Sequence, residues 1–170
     1  MNKLIWFEIC LCVVISLTSC KDDSSSSTDS AVSVAPPYTT VPILADYSSI
    51  SDPRKRWEAY HLSNYVIDQR QWGAWIRLDT LRLYMANGEK YLIIRPSTNV
   101  TVDVEWPVCK SVDELFGMID FMNLNHRPGD TLYVEYHPRF GYPTRIWYSN
   151  NFLTDTETAY ETSNLFRVLY

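Results

Sequence analysis

The chain has 170 residues and a formal net charge of −5, from 20 acidic against 15 basic side chains. That balance excludes the basic footprint with which proteins hold nucleic acid. After an N-terminal leader and a polar linker, ~120 residues remain, enough for one domain that buries about two thirds of its unfolded surface.

The N-terminus has the parts of a secretory leader. Lys3 supplies a positive start, and Leu4 to Leu17 is mostly apolar, with Glu8 the one residue out of keeping. As a helix this run covers about 21 Å of a roughly 30 Å hydrocarbon core, too short for a permanent span. It ends in Leu17-Thr18-Ser19-Cys20, which resembles the lipobox of bacterial lipoproteins. Residues 1–20 are therefore read as a lipoprotein signal, with Cys20 as the lipidated first residue of the mature protein. Acyl chains contribute ~0.8 kcal/mol per buried methylene, so the protein would be attached to a membrane without spanning it. Cys10 and Cys12 would leave with the leader and Cys20 would carry lipid. Only Cys109 would remain as a thiol, which predicts a domain without an internal disulfide.

Residues 21–48 read as a flexible acidic tether. Ser24 to Thr28 is polar and small, Pro36-Pro37 and Pro42 stiffen it locally, and Lys21 stands against Asp22, Asp23, Asp29 and Asp46. Lys21-Asp22-Asp23 resembles the acidic export signal of surface lipoproteins in some anaerobic Gram-negative bacteria. Asp29-Ser30-Ala31 resembles an O-glycosylation site, with Ser30 as the acceptor. The implied address is the outer membrane, lipid-anchored and exposed at the cell surface.

Residues 49–170 read as one domain. Asp52-Pro53 caps a helix running to about His61, with Trp57, Tyr60 and His61 on its buried face and Arg54, Lys55 and Arg56 facing solvent. Asn64 to Gln71 alternates as a strand, and Trp72-Gly73-Ala74-Trp75 reads as a turn. Thr80–Met85 and Lys90–Arg95 flank Asn87-Gly88, the favoured pair for a type I′ hairpin. A two-residue loop pairs Leu83 with Leu92 and Leu81 with Ile94 on an aliphatic core face, and Tyr84 with Tyr91 and Arg82 with Ile93 on the other. A short extended piece falls at Val100 to Val104. Ser111 and Glu114 form a capping box. Val112, Leu115, Phe116 and Ile119 then follow at helical spacing to about Leu124. Leu132, Val134 and Tyr136 alternate in a further strand, Ile146 and Tyr148 in the next, and a last strand falls between Thr158 and Val168. The fold class predicted is α+β: an antiparallel β-sheet with two helices packed on one face, the helix–β-meander pattern occurring twice.

The C-terminal half carries a family resemblance. Val112-Asp113-Glu114-Leu115-Phe116 is followed by Val134-Glu135-Tyr136-His137-Pro138-Arg139-Phe140-Gly141-Tyr142-Pro143-Thr144-Arg145-Ile146. This resembles a family of bacterial lipoproteins of unknown function with an Asp-Glu-Leu-Phe … Tyr-Asp-Pro-x-x-Gly-Tyr-Pro-x-x-Ile signature. The chain has His137 where that family usually has Asp. It has Trp72 to Trp75 near the place of a frequent Cys-x-Cys pair, so a redox or metal role resting on those cysteines could not operate here. Pro138 and Pro143 restrict the backbone around Gly141, which predicts a rigid turn. Phe140 and Tyr142 either pack beneath that turn or project from it as a contact patch.

His61, His126 and His137 have no metal-ligand spacing, and no nucleophile elbow, phosphate loop or dinucleotide fingerprint occurs. Asp113 and Glu114 are accounted for by the helix start. No catalytic residue, metal or cofactor is implied; a hydrolase built on His137 and a nearby carboxylate is the weakest reading. Six Trp and twelve Tyr are many for this length. Trp72, Trp75, Phe140, Tyr142 and Trp147 are the candidate partner-binding residues. The expected function is a non-enzymatic, lipid-anchored envelope module with an envelope protein as partner, or alternatively a glycan. The oligomeric state is not legible.

Overall fold

The computed structural model describes residues 38–73, 78–104, 109–150 and 157–170. The leader, Cys20, Ser30, residues 21–37 of the expected tether, and Trp75 lie outside the described residues. Among the described residues the elements are β1 (Thr39–Val41), α1 (Pro53–Ala59), β2 (Tyr65–Gly73), β3 (Leu81–Ala86), β4 (Glu89–Arg95), β5 (Val100–Val102), α2 (Val112–Leu124), β6 (Thr131–Tyr136), β7 (Pro143–Ser149) and β8 (Thr158–Leu169). The strands form one antiparallel sheet in the order β5-β4-β3-β2-β8-β7-β6, with β1 also paired to β8. The fold is α+β and mostly sheet.

The sheet is two meanders joined at its centre. β2 to β5 run outward from the middle, and β6 to β8 run inward from the other edge. The join is β2 against β8, with Tyr65 to Gly73 paired antiparallel to Arg167 to Thr158. One meander thus brings its first strand to the centre and the other its last.

Side-chain alternation divides the sheet into two faces. Tyr65, Ile67, Leu83, Ile93 and Ile146 belong to one large core cluster with Trp57 of α1 and Val112, Leu115, Phe116 and Ile119 of α2. Burying each large aliphatic chain there contributes about 1.5–3 kcal/mol. The opposite face carries a smaller cluster of Val66, Tyr84, Ile94 and Val168, against which Tyr38 and Leu92 pack. No helix residue joins it.

α2 starts as its sequence dictates. The Ser111 side chain accepts the Glu114 N–H at 3.1 Å, and the Glu114 carboxylate accepts the Ser111 N–H at 2.6 Å. α1 is shorter than expected. It ends at Ala59, and His61 adopts φ +47°, which turns the chain and leaves its imidazole exposed, away from buried Trp57 and Tyr60. Nor do Arg54 and Arg56 simply face solvent. Arg56 donates to the carbonyls of Ile50 and Pro138, and Arg54 to that of Phe116 and to Asp120.

The hairpin turn at Asn87-Gly88 has positive φ at both residues, as type I′ requires. Its register differs from expectation. Met85 pairs with Lys90, but Tyr84 pairs with Leu92 and Leu83 with Ile93, so Tyr91 is an extra, bulged residue. The bulge turns Ile93 to the core and Leu92 and Ile94 to the other face. It also sets fully buried Ile93 against fully buried Leu83. Trp72 and Gly73 are not in a turn. They extend β2, paired with Ala159 and Thr158. The pairing lies far away in sequence, so local turn propensity gave no sign of it.

Residues 38–48, which the sequence assigns to the tether, are fastened to the domain. Thr39 to Val41 pair with Leu169 to Arg167, the Tyr38 ring lies 4.6 Å from that of Tyr84, and Tyr47 sits 4.8 Å from Tyr60.

Candidate functional site

The β2–β8–β7–β6 register places side chains in rows across the sheet face that carries the smaller apolar cluster. Trp72 pairs with Ala159, Ala159 with Trp147, and Trp147 with Tyr133. Directly paired antiparallel residues point the same way, so these four form one row perpendicular to the strands. The next row is Arg70, Glu161, Arg145 and Glu135, alternating in sign. Two contacts tie the rows together: the Arg70 guanidinium lies 5.7 Å from the Trp72 ring centroid, and the Tyr133 hydroxyl donates to Glu135 at 2.6 Å. Tyr133, Arg145 and Glu135 are exposed, and Trp72, Trp147, Arg70 and Glu161 are half-buried. Two open cavities of about 380 and 330 Å³ adjoin at Arg70 and Glu161.

Among the described residues the N-terminal segment packs on the other end of this face and not on these rows. Tyr38 covers the apolar cluster of Val66, Tyr84 and Val168, which would otherwise be exposed. A third polar pair bounds these rows. Arg82 and buried Asp68 satisfy each other through two hydrogen bonds.

Of the sequence-derived candidates, Trp72 and Trp147 fall in the aromatic row. Tyr142 does not belong to any surface. It is 3% exposed, with its ring against Trp57 and His137, because Pro143 starts β7 and turns the preceding residue into the core. Phe140 is half-buried and packs on Tyr60, His137 and the core cluster. The turn as a whole is sealed. Gly141 has φ +81° and abuts Pro53, and Arg56 and Tyr60 bond the carbonyls of Pro138 and Arg139.

His137 is part of the same architecture. Its Nδ1 accepts the N–H groups of Arg139 and Phe140, each at 3.2 Å. This reproduces what a short carboxylate does when it caps a turn. Burial and the nearby Arg139 guanidinium lower its pKa, keeping the ring neutral and able to accept.

A further cavity, about 450 Å³, lies between the start of β4 and the start of α2. Burial pushes the Glu114 carboxyl up, but the Lys90 ammonium at 2.9 Å and the Ser111 N–H outweigh it and hold it below the usual carboxylate range. Those contacts serve the helix cap. Among the described residues no three His, Cys, Asp or Glu side chains converge as a metal site, and no helix is long and apolar enough to cross a membrane. Cys109 is a buried free thiol, pushed up to about 12 by burial.

Sequence reasoning missed Arg70, Arg145, Glu135 and Glu161. The one available signal was period-two alternation, which places a residue on a face but not beside its partner.

The fold and site define an α+β domain, mostly antiparallel sheet, with an aromatic row beside a charged row on one sheet face. The chain belongs to DUF6174, a family of unknown function, which it matches over residues 49–167. No curated protein and no solved structure matches it.

Proposed function

We propose that this chain is a lipid-anchored, non-enzymatic binding protein of the bacterial outer membrane, displayed at the cell surface on an acidic tether. Leu17-Thr18-Ser19-Cys20 supports the anchor and Lys21-Asp22-Asp23 the surface address. In this reading both helices cover one face of the sheet, as their common cluster with Ile67, Leu83 and Ile93 supports. The other face is left to meet an envelope macromolecule. The row Trp72–Ala159–Trp147–Tyr133 carries the reading: large aromatic side chains half-open to solvent, set beside a row of alternating charge.

A photoreactive phenylalanine analogue in place of Tyr133, in the full-length protein on cells, tests it. Illumination should yield a discrete heavier adduct, and the same probe in place of exposed Lys55 should yield none. No adduct from position 133, or equal adducts from both, would remove the face from consideration. The anchor is tested separately: labelled palmitate should enter the wild-type protein and fail to enter Cys20→Ala.

A further inference from the structure

We infer that the ligand of the helix-free face is an extended, uncharged polysaccharide lying across the strands along the aromatic row. The inference rests on the binding-face reading above and names its ligand class. A sugar ring offers an apolar C–H face and a rim of hydroxyls, each of which can donate and accept. The first needs flat aromatic surface, and the second needs donors and acceptors side by side. Trp72 and Trp147 stand two strand intervals apart, roughly 9.6 Å, and Tyr133 continues the row for one more, giving a platform of about 14 Å. Ala159 between the two indoles is small and its neighbours close over it, leaving it 1% exposed, so no side chain rises between them from that position.

The neighbouring row supplies the polar half. Arg70 and Arg145 are donors, and Glu161 and Glu135 are acceptors, in strict alternation. Among the described residues no ion pair within 4.0 Å engages Arg145 or Glu161, so their polar ends are available to hydroxyls. The row sums to zero charge, and Arg82 adds nothing because Asp68 neutralises it. A polyanionic chain would meet two carboxylates for every two guanidinium groups, so the field does not favour it. A protein partner is disfavoured for a different reason. A stable protein interface needs about 800 Å² per partner around an apolar centre poor in charge, and here the aromatic row adjoins a fully charged one.

The test is electrophoresis of the full-length protein in detergent through gels containing xylan, mannan or soluble starch as neutral chains, or polygalacturonate as an anionic one. At least one neutral polysaccharide should retard the protein, and polygalacturonate should not. Trp72→Ala and Trp147→Ala should each weaken the retardation by about tenfold, the loss of one stacking contact. Trp147→Phe should retain part of it, which separates lost stacking from lost folding. Retardation by polygalacturonate alone, by none of the gels, or undiminished in both alanine variants would overturn the inference. If no gel retards the protein while the probe at position 133 still traps a protein, the glycan falls and the binding face stands. If that probe also traps nothing, both fall.

Discussion

Arg82 on β3 closes on Asp68 of neighbouring β2 through two hydrogen bonds, 2.6 Å from Nε and 2.9 Å from Nη2, and Asn164 adds a third at 2.9 Å. Asn164 can do so because it occupies a bulge in β8 with φ +53°, where the register slips opposite Ile67. Asp68 is 4% exposed, and a carboxylate withdrawn that far from water depends on its partners. Arg82→Ala would leave it with one neutral donor. Urea unfolding should then show a loss of about 3 kcal/mol. Arg54–Asp120 is a pair of similar length, 2.7 Å, with both side chains substantially exposed. Asp120→Ala should cost under about 1 kcal/mol, because solvent already screens that pair.

Gly141 bears on the turn that follows β6. With φ +81° and the Pro53 carbonyl and Arg56 Cβ against it, a methyl group there is both conformationally strained and sterically blocked. Backbone atoms of α1 form the obstacle, so no side-chain rotation relieves it. Gly141→Ala should lower the urea midpoint by the equivalent of about 2–4 kcal/mol. Gly88→Ala has a similar φ, +84°, but open space around it, so it should cost only about 1 kcal/mol. A comparable loss in the two variants would mean that the contact with Pro53 adds nothing.

How much of this was legible in the sequence follows the range of the interactions. α2 was fully legible because Ser111, Glu114 and the apolar positions after them act within a few residues. The Asn87-Gly88 turn was legible for the same reason. Its register was not, because the bulge at Tyr91 depends on Ile93 reaching a core that strands and helices build from both ends of the domain. Trp72 was read as a turn residue because the Gly73 beside it is a local breaker. Its true environment comes from Ala159, 87 residues onward. The candidate site suffers most from this limit. Trp72 and Trp147 stood out by residue type, but the charged row beside them exists only once β2 and β8 are paired.

His137 makes the turn sensitive to acid. Its Nδ1 must be unprotonated to accept from Arg139 and Phe140, and burial, with the Arg139 guanidinium, lowers its pKa below the ordinary value of about 6.5. The unfolded chain therefore takes up the proton first. The stability this group contributes is complete above about pH 6.5 and is lost as pH falls below that value through the folded pKa. Aspartate can accept the same two N–H groups and stays ionised to about pH 4. His137→Asp should thus shrink the drop in urea midpoint between about pH 7.5 and about pH 5.5. An undiminished drop would show that the His137 cap is not the source of the acid sensitivity.

Arg139 fastens the segment between β1 and α1 to the domain. One guanidinium nitrogen lies 2.9 Å from the Ile43 carbonyl, 3.3 Å from that of Leu44 and 3.0 Å from that of Ala45, and its own carbonyl accepts from Tyr60. These three carbonyls belong to a stretch with no regular structure between β1 and α1, so the arginine substitutes for a strand partner. Without it, residues 42–48 would be held by β1 at one end, by Ile43 packed on the core cluster, and by the Tyr47–Tyr60 contact at the other. Local opening needs far less free energy than global unfolding, and proteases sample it directly. Arg139→Ala should raise the rate of cleavage within residues 42–48 by about tenfold, as read by mass spectrometry of the fragments, and move the urea midpoint little. Arg139→Lys should restore only part of the protection, since an ammonium is a compact donor and cannot reproduce the guanidinium fork. Unchanged cleavage in Arg139→Ala would show that β1, Ile43 and Tyr47 fasten the segment without the arginine. In that case the β1–β8 pairing beside Tyr38 is what keeps that ring over the apolar cluster of Val66, Tyr84 and Val168.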